Sequence, residues 1–135
     1  MLLDSSALVA LITAEGSAPA VFDALAAAPS SAIGAPTLVE AAMVLTGRRA
    51  AGSPAAASDL ALVMAHFEIA VIPFAAEHWP VAWVAFLRYG KGRHPAGLNL
   101  GDCLTYAVAK LSGQALLCVG GDFAQTDLLL APLPA

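Results

Sequence analysis

The chain has 135 residues, with ten Asp or Glu and six Lys or Arg, which gives a formal net charge of −4. This length accommodates one ordinary domain rather than two, so we treat residues 1–135 as a single domain. Only 12% of the residues are charged and 59% are hydrophobic, which excludes a disordered acidic tail. The two cysteines, Cys103 and Cys118, lie in apolar stretches and are expected to be buried free thiols. The acidic balance argues against binding to nucleic acid through bulk charge alone, although it permits a nuclease whose carboxylates gather around a cation.

The start of the chain and its longest uncharged run both argue against a membrane location. Met1 is followed at once by Leu2, Leu3 and Asp4, so there is no basic segment before an apolar one, as a signal peptide requires. The longest uncharged run, residues 24–39, is interrupted by two prolines and falls short of the roughly 18 apolar residues that span a bilayer. We therefore expect a soluble cytoplasmic protein that does not associate with membranes.

Apolar runs separated by Gly, Pro and capping residues predict an alternation of strands and helices. In chain order these are a strand at 2–3, helices at 7–13 and 18–27, a strand at 31–35, a helix from 36 to about Arg49, a loop at 50–58, a helix to about 67, a buried strand at 69–74, a helix at 77–89, a loop at 90–97, a helix between Asn99 and Gly113, a strand at 115–119 and a short edge strand at 128–130. Strands that alternate with helices indicate an α/β fold whose central parallel sheet is covered on both faces.

Polar residues before several of these helices predict how the helices begin. Ser5 or Ser6 is expected to cap the first helix, and Thr37 and Glu40 have the T-x-x-E spacing of a capping box. Asn99 is expected to cap the last helix. That helix carries one predicted apolar stripe, which consists of Leu100, Leu104, Ala107, Val108 and Leu111.

Four of the acidic residues are predicted to share one edge of the sheet. Asp4 and Asp122 each follow a strand, Glu40 lies in the first helical turn after a strand, and Asp102 lies in the first turn of the last helix. Ligands of open parallel sheets bind beyond the carboxyl ends of the strands, so these side chains are expected to converge there. Converging carboxylates repel one another and raise their own pKa values. A hard divalent cation such as Mg²⁺ or Mn²⁺ removes that cost and still leaves positions for a phosphate.

Each of these acids also has an explanation that needs no functional site. Acidic residues are favoured in the first turn of a helix by capping and by the helix dipole. Asp4 would then be a turn residue, Glu40 the partner in the capping box, and Asp102 an acid in the turn that Asn99 begins. Capping does not require four such positions to lie at the same end of one sheet, which favours the shared site.

The order of these motifs resembles that of PIN domains. The matching residues are Asp4-Ser5-Ser6-Ala7, then Glu40, then Asn99-Leu100-Gly101-Asp102-Cys103, then Gly121-Asp122-Phe123. Residues 90–110, GKGRHPAGLNLGDCLTYAVAK, are similar to the corresponding stretch of VapC-type toxins of bacterial toxin–antitoxin pairs. The D-F-x-x-T-D run beyond that stretch strengthens the resemblance, which extends from Asp4 to Asp127.

The resemblance implies a three-layer α/β/α sandwich with a central parallel sheet. It also implies an endoribonuclease that depends on Mg²⁺, or on Mn²⁺ as a substitute, with catalytic and metal-binding carboxylates at Asp4, Glu40, Asp102 and Asp122. The expected partners are an RNA substrate and a small VapB-like antitoxin, in a homodimer or a toxin–antitoxin hetero-oligomer.

One position departs from the family pattern. Relatives often have another acid or an Asn directly before the Asp-Phe pair, where this chain has Gly121. Asp122 is therefore the first choice for the fourth acidic position, and Asp127 is expected to assist or replace it. The loss of one acid is expected to weaken a second metal position without removing the first.

The expected chemistry is hydrolysis of a phosphodiester by water that a metal ion activates and orients. A second ion, about 3.5–4 Å from the first and near Asp122, would stabilise the leaving oxygen. Ser6 and Asn99 are expected to support the metal ligands through hydrogen bonds, although both residues are equally suited to capping a helix. Because water attacks rather than the ribose 2′-hydroxyl, the products should carry 5′-phosphate and 3′-hydroxyl ends.

A short basic window is expected to hold the RNA. Three of the six Lys and Arg residues, Arg88, Lys91 and Arg93, lie within seven positions, together with Tyr89 and His94. Arginine pairs with phosphate through two hydrogen bonds, and an aromatic ring stacks on an unpaired base. The competing explanation is a solvated helix end whose cations suit the C-terminal dipole.

Two other function classes compete with the ribonuclease. The first is a degenerate PIN-like module that binds RNA or metal without cutting, which Gly121 would favour. The second is a small receiver-like phosphotransfer domain, which also gathers acids at strand ends. That class needs an early acidic pair and a Lys after the last strand, whereas this chain has Asp4 alone and Gly120-Gly121.

Overall fold

The computed structural model describes residues 1–48 and 54–134, and its elements follow the predicted alternation closely. In chain order they are β1 (Leu2–Leu3), α1 (Ser5–Ile12), α2 (Ala18–Ala27), β2 (Ala32–Gly34), α3 (Ala35–Gly47), α4 (Ala55–His66), β3 (Ala70–Ile72), α5 (His78–Tyr89), α6 (Leu100–Ser112), β4 (Leu116–Leu117) and a 3₁₀ turn at Phe123–Gln125. The predicted helix end at Arg49 and residues 50–53 of the predicted loop lie outside the described residues.

The four strands form one parallel sheet in the order β3-β2-β1-β4. Leu2 is paired with Ala32 on one side and with Leu116 on the other, so β1 lies inside the sheet. The predicted edge strand at 128–130 is reduced to a single parallel bridge between Leu116 and Leu130. All the strand pairs are parallel, which confirms the predicted sheet and brings the carboxyl ends of the strands to one edge.

Side chains that alternate along the strands divide the interior into two cores. Leu2 and Leu116 face one core, which is completed by α5 and α6. Leu3 and Leu117 face the other, which is completed by α1, α2, α3 and α4. Helices therefore cover both faces of the sheet, which is the expected three-layer α/β/α sandwich and explains why the inner strands are apolar without alternation.

The first turn of α6 is built as the sequence predicts. The Asn99 side chain accepts from the backbone N–H of Asp102, and the Asp102 carboxylate accepts from the backbone N–H of Asn99, which makes a complete capping box. The helix ends at Gly113, whose φ of 67° is the left-handed conformation that glycine adopts most readily. These two interactions hold Asp102 at a defined position at the start of the helix.

Two predicted helix starts are wrong. Asp4, rather than Ser5 or Ser6, caps α1, because its carboxylate accepts from the backbone N–H of Ser6. The predicted capping box of Thr37 and Glu40 does not form, since α3 begins after Gly34 without a side-chain cap. The Thr37 hydroxyl instead forms a hydrogen bond with the hydroxyl of Thr105, a buried residue of α6.

Three further expectations need correction. The strand β3 is at the sheet edge rather than buried, and Val71 is 48% exposed. The helix α4 begins at Ala55, before the loop end predicted at residue 58. The predicted stripe of α6 is buried only in its middle, because Leu100 and Leu111 are 76% and 47% exposed. A periodic pattern shows which residues share a helix face but not how completely a neighbour covers that face.

The expectation for the two cysteines is confirmed. Cys103 and Cys118 are buried free thiols. Among the described residues, no helix is long and apolar enough to cross a membrane.

Candidate active site

A pocket of about 280 Å³ opens at the carboxyl ends of β1 and β4 and contains all four predicted carboxylates. Its lining residues are Asp4, Ser5, Ser6, Glu40, Val44, Asn99, Asp102, Val119, Gly120, Asp122 and Phe123. These residues come from four separate parts of the chain, and the parallel sheet brings them together because its strands end at one edge. The two predicted supporting residues, Ser6 and Asn99, line the same pocket.

Asp4 is buried and held from several directions. It extends the first strand, because its backbone N–H donates to Leu117 at 2.9 Å. One carboxylate oxygen accepts from the Ser6 hydroxyl at 2.6 Å and from the Ser6 backbone at 3.1 Å. The other accepts from the hydroxyl of Thr105, a buried residue of α6, at 3.3 Å. The predicted support by Ser6 is thus present as hydrogen bonds, and the Ser6 hydroxyl also accepts from the backbone N–H of Val119.

Glu40 and Asp122 are the other two carboxylates of the pocket. Glu40 projects from α3, and one of its oxygens accepts a hydrogen bond from the hydroxyl of Ser5. Asp122 is exposed and follows the turn at Gly120, whose φ of 105° strongly favours glycine. A side chain at position 121 would meet nothing within 4 Å, so space does not explain the glycine there.

The electrostatics of Asp102 show that the other three acids act on it. Its pKa is raised from 3.8 to about 6, first by burial and then by the charges of Asp4, Glu40 and Asp122. The hydrogen bond from the Asn99 backbone opposes this increase only in part. A site in which burial and neighbouring carboxylates raise the pKa of an acid, as here for Asp102, stabilises a bound cation, because the cation removes both the repulsion and the cost of burial.

The donor set is suited to a hard divalent ion that is bound partly through water. All four side chains offer oxygen, the ligand atom that Mg²⁺ and Mn²⁺ prefer. Within the described residues, no group of three or more His, Cys, Asp or Glu side chains is arranged as it stands to hold an ion. The carboxylates surround a space rather than meeting at a point. Mg²⁺ commonly retains several of its waters and reaches protein ligands through them, so this spacing is compatible with it.

A comparison with protein families decides how to classify this pocket and its fold. The PIN domain model matches residues 1–129. The chain belongs to the PIN domain family. The resemblance inferred from the four acidic motifs is therefore confirmed.

Curated relatives of this PIN domain are named ribonucleases. The chain is 48% identical over 129 residues to ribonuclease VapC36 of Mycobacterium tuberculosis, which covers 95% of the chain and 91% of that protein. It is 41% identical over 128 residues to ribonuclease VapC of Mycolicibacterium smegmatis, which covers 95% and 97% respectively.

Solved structures of low sequence identity share the fold. A crystal structure of Mycobacterium tuberculosis VapC20, described as a toxin that cleaves the sarcin-ricin loop, has a TM-score of 0.76 at 21% identity, with 96% of this chain and 97% of that chain covered. A structure of VapBC2 from Rickettsia felis, bound to a DNA fragment from the promoter of the pair, has a TM-score of 0.75 at 17% identity and 96% coverage of both chains. At these identities, the likeness concerns the fold.

Asp127 is not part of the acidic pocket of this PIN domain, contrary to the expectation that it assists or replaces Asp122. Its carboxylate accepts from the Tyr106 hydroxyl at 2.6 Å and from the Lys110 ammonium at 2.8 Å, and it lines a different pocket beside α6. These partners, with Lys110 first, lower the pKa of Asp127 from 3.8 to about 2. The six residues from Asp122 to Asp127 turn the chain away from the site, so Asp127 anchors the C-terminal segment to α6.

We expect Asp127→Asn to change acid stability but not the acidic pocket. A carboxyl whose pKa is lowered on folding stabilises the fold above its unfolded pKa, and that stabilisation is lost as the pH falls through the folded value. The difference in unfolding free energy between wild type and variant should therefore be constant above about pH 5 and vanish between about pH 4 and pH 2. Because the side chain is 36% exposed, the difference should be below about 1 kcal/mol. Urea unfolding at several pH values measures it, and a difference that grows on acidification would contradict the assignment.

The basic window occupies the last turn of α5 and the loop that leads into α6. Lys91 and Arg93 are exposed, and the loop is closed by hydrogen bonds between Lys91 and Leu98 and between Leu98 and Tyr89. Arg88 has a partner within the protein, since its guanidinium lies 3.7 Å from Asp127. None of the three basic residues belongs to the lining of the acidic pocket, so any contact with RNA would be made beside the carboxylates.

Tyr89 does not provide the expected stacking surface. Its ring is buried and packs against Tyr106, with 5.9 Å between ring centroids, and against His94, at 5.1 Å. His94 accepts from the backbone N–H of Ala96 and thereby shapes the loop. Tyr89 therefore points inward although it is next to a basic residue in the sequence. The expected role of Tyr89 in stacking on a base is wrong.

The residues that hold the carboxylates carry no spacing motif in the sequence. Thr105 contacts Asp4 from α6, and its hydroxyl is 2.7 Å from that of Thr37 in α3. Ser5 contacts Glu40 across 35 positions of the chain. A threonine inside an apolar helix was the available signal for Thr105, because a hydroxyl at a buried position requires a polar partner.

Proposed function

We propose that this chain is a metal-dependent endoribonuclease, with Mg²⁺ as its ion and Mn²⁺ as a substitute, and that it acts in the cytoplasm as the toxin of a type II toxin–antitoxin pair. The observation that carries the proposal is the pocket in which Asp4, Glu40, Asp102 and Asp122 surround one space, where burial and the charges of the other three acids raise the pKa of Asp102. The names of relatives at 48% and 41% identity support ribonuclease activity.

The residues of the pocket divide the work between binding the ion and keeping its ligands in place. Asp4, Glu40 and Asp102 would hold the ion, and Asp122 extends the negative charge toward solvent. Bound Mg²⁺ supplies a water of lowered pKa and neutralises charge on the phosphate oxygens. Ser6 and Asn99 orient two of the carboxylates through hydrogen bonds, so that their oxygens are in position before the ion binds.

A cleavage assay with controlled metal content tests the proposal. Purified protein should cut RNA in Mg²⁺, stop when EDTA is added, and recover when excess Mn²⁺ is supplied. End-labelling should show 5′-phosphate and 3′-hydroxyl products, because water is the nucleophile. Cleavage that persists in EDTA, or products with 2′,3′-cyclic phosphates, would reject the mechanism. RNA binding without cleavage would favour the degenerate binding module instead.

The protein partner is proposed to be a small VapB-like antitoxin. A groove of about 430 Å³ between α1, α2 and α4 is lined by Leu11, Phe22, Leu62, Val63, His66 and Phe67. Leu62 and Phe22 are 70% and 44% exposed, which leaves apolar surface suited to an amphipathic helix. Co-expression with the neighbouring short reading frame should yield a complex on size-exclusion chromatography and suppress cleavage. The chain without its antitoxin is proposed to be a homodimer.

We expect the exposed basic residues of the loop to contribute to RNA affinity through charge. The double variant Lys91→Ala/Arg93→Ala should bind single-stranded RNA more weakly, and the slope of log K against log salt should fall by about 1.4. Fluorescence anisotropy at several salt concentrations measures both quantities. The matched control is Arg48→Ala/Lys110→Ala, which removes the same charge from two ion pairs with Glu15 and Asp127. An unchanged slope in the loop variant, or equal changes in both variants, would reject the role of the loop.

A further inference from the structure

Gly101 occupies a helical position where glycine has no evident backbone advantage. It is the second residue of α6, and its φ does not lie in the left-handed region that favours glycine. Alanine stabilises a helix more than glycine does, because glycine loses more backbone freedom on folding. The local structure alone would therefore favour alanine at this position, so the reason for glycine must come from a neighbour.

That neighbour is the carboxylate of Glu40. A Cβ built on Gly101 would lie 2.9 Å from Cδ of Glu40 and closer still to Oε2. It would also lie 3.4 Å from the side-chain oxygen of Asn99, which is an ordinary contact. The carboxylate is thus in direct contact with the bare α-carbon of Gly101, in space that any other residue would fill.

The opposite side of the carboxylate is also held. The Ser5 hydroxyl donates to Oε1 of Glu40 from the first turn of α1. The carboxylate therefore lies between α1 and α6, where it contributes to the charge that raises the pKa of Asp102. If a methyl group occupied its space, the flexible end of Glu40 would turn away while the backbone of α6 stayed in place.

We propose that Gly101 is a positioning residue for Glu40: the missing side chain allows the carboxylate to lie against the start of α6, within reach of an ion shared with Asp4 and Asp102. This inference rests on the proposed function for its catalytic consequence. Its steric part concerns only the metal-free protein and can be tested separately.

The steric part is tested by a double-mutant cycle on thermal unfolding without metal or RNA. In the background of Glu40→Ala, the variant Gly101→Ala should raise the unfolding midpoint, because the methyl group then no longer meets the carboxylate and alanine favours the helix. With Glu40 present, the same substitution should give a smaller increase or a decrease. The control Gly47→Ala, at a helical position with nothing within 4 Å, should have the same effect in both backgrounds. An equal effect of Gly101→Ala in the two backgrounds would overturn the proposal.

The functional part is tested by the affinity for Mn²⁺, measured by isothermal titration, together with cleavage. Gly101→Ala should weaken Mn²⁺ binding and cleavage by about 10–100-fold, as is usual when the support of a metal ligand is lost, while Gly47→Ala leaves both unchanged. Glu40→Asp is one methylene shorter, so adding Gly101→Ala to it should change binding by less than about threefold. The positioning role would be refuted if the losses of Mn²⁺ affinity caused by Glu40→Asp and Gly101→Ala multiplied in the double variant. It would also be refuted if Gly101→Ala bound Mn²⁺ as tightly as the wild type. If the wild type binds no Mn²⁺, the proposed function fails, and the unfolding cycle still decides whether Gly101 makes room for Glu40.

Discussion

Asp102→Asn should lower RNA cleavage by at least about hundredfold and, in the absence of metal, make the protein more stable. The first effect follows because Asp102 is proposed to hold the ion directly, and even the loss of a residue that only supports a ligand commonly costs 10–100-fold. The amide of Asn retains an oxygen that can accept from the backbone N–H of Asn99, so the start of α6 should be preserved. Initial rates with labelled RNA in saturating Mg²⁺ measure the loss.

The gain in stability has a defined pH dependence. The pKa of Asp102 is raised on folding from 3.8 to about 6, so its ionisation opposes folding. The metal-free wild type should lose stability between about pH 4 and pH 6, by about 1 kcal/mol once partial exposure to solvent is allowed for. Asp102→Asn should lack this decline. Added Mn²⁺ should make the wild type more stable than Asp102→Asn. An ion at a hundred times its Kd stabilises the wild type by about 2.7 kcal/mol and the variant far less.

Asp23→Asn is the matched control for this prediction. It removes one negative charge from an exposed position of α2 that is not among the residues lining the acidic pocket. It should change neither cleavage nor the response to Mn²⁺. If Asp102→Asn cleaved RNA as fast as the wild type, or if Mn²⁺ stabilised the two proteins equally, Asp102 would not be a metal ligand.

The location of the site could be predicted from the sequence because it depends on topology rather than on local contacts. Parallel strands connected by helices must end at one edge, and residues that follow such strands meet there. Asp4, Glu40, Asp102 and Asp122 were therefore placed in one pocket without any knowledge of side-chain contacts. Asn99 and Gly113 were also predictable, because a helix cap depends on its own few residues.

The errors arose where tertiary contacts compete with local patterns. Thr37 has the spacing of a capping residue, but a buried hydroxyl of α6 offers it a partner inside the core. Asp127 follows Asp122 by five positions, yet Tyr106 and Lys110 determine its direction. An apolar strand pattern such as β3 does not reveal whether the strand is central or at the edge, because that depends on where the chain crosses the sheet. Spacing along the chain therefore predicts the edge at which a residue lies better than it predicts the partner of its side chain.

Thr105→Val should destabilise the fold by about 1–3 kcal/mol and reduce cleavage by about 10–100-fold. Thr105 is buried, its hydroxyl is 2.7 Å from that of Thr37, and it donates to Asp4 at 3.3 Å. Valine has nearly the same shape but no hydroxyl, so Thr37 is left buried without this partner and Asp4 loses a donor from α6. Urea unfolding measures the first effect, and cleavage at saturating Mg²⁺ measures the second.

The double variant Thr37→Val/Thr105→Val separates these two effects. Replacing both hydroxyls removes the unpaired hydroxyl of Thr37, so part of the lost stability should return. Cleavage should stay low, because Asp4 still lacks the contact from α6. The single variant Thr37→Val should keep most of the cleavage, since Thr105 continues to donate to Asp4. If cleavage recovers together with stability in the double variant, then Thr105 serves the core alone, and Asp4 is positioned sufficiently by the two hydrogen bonds from Ser6.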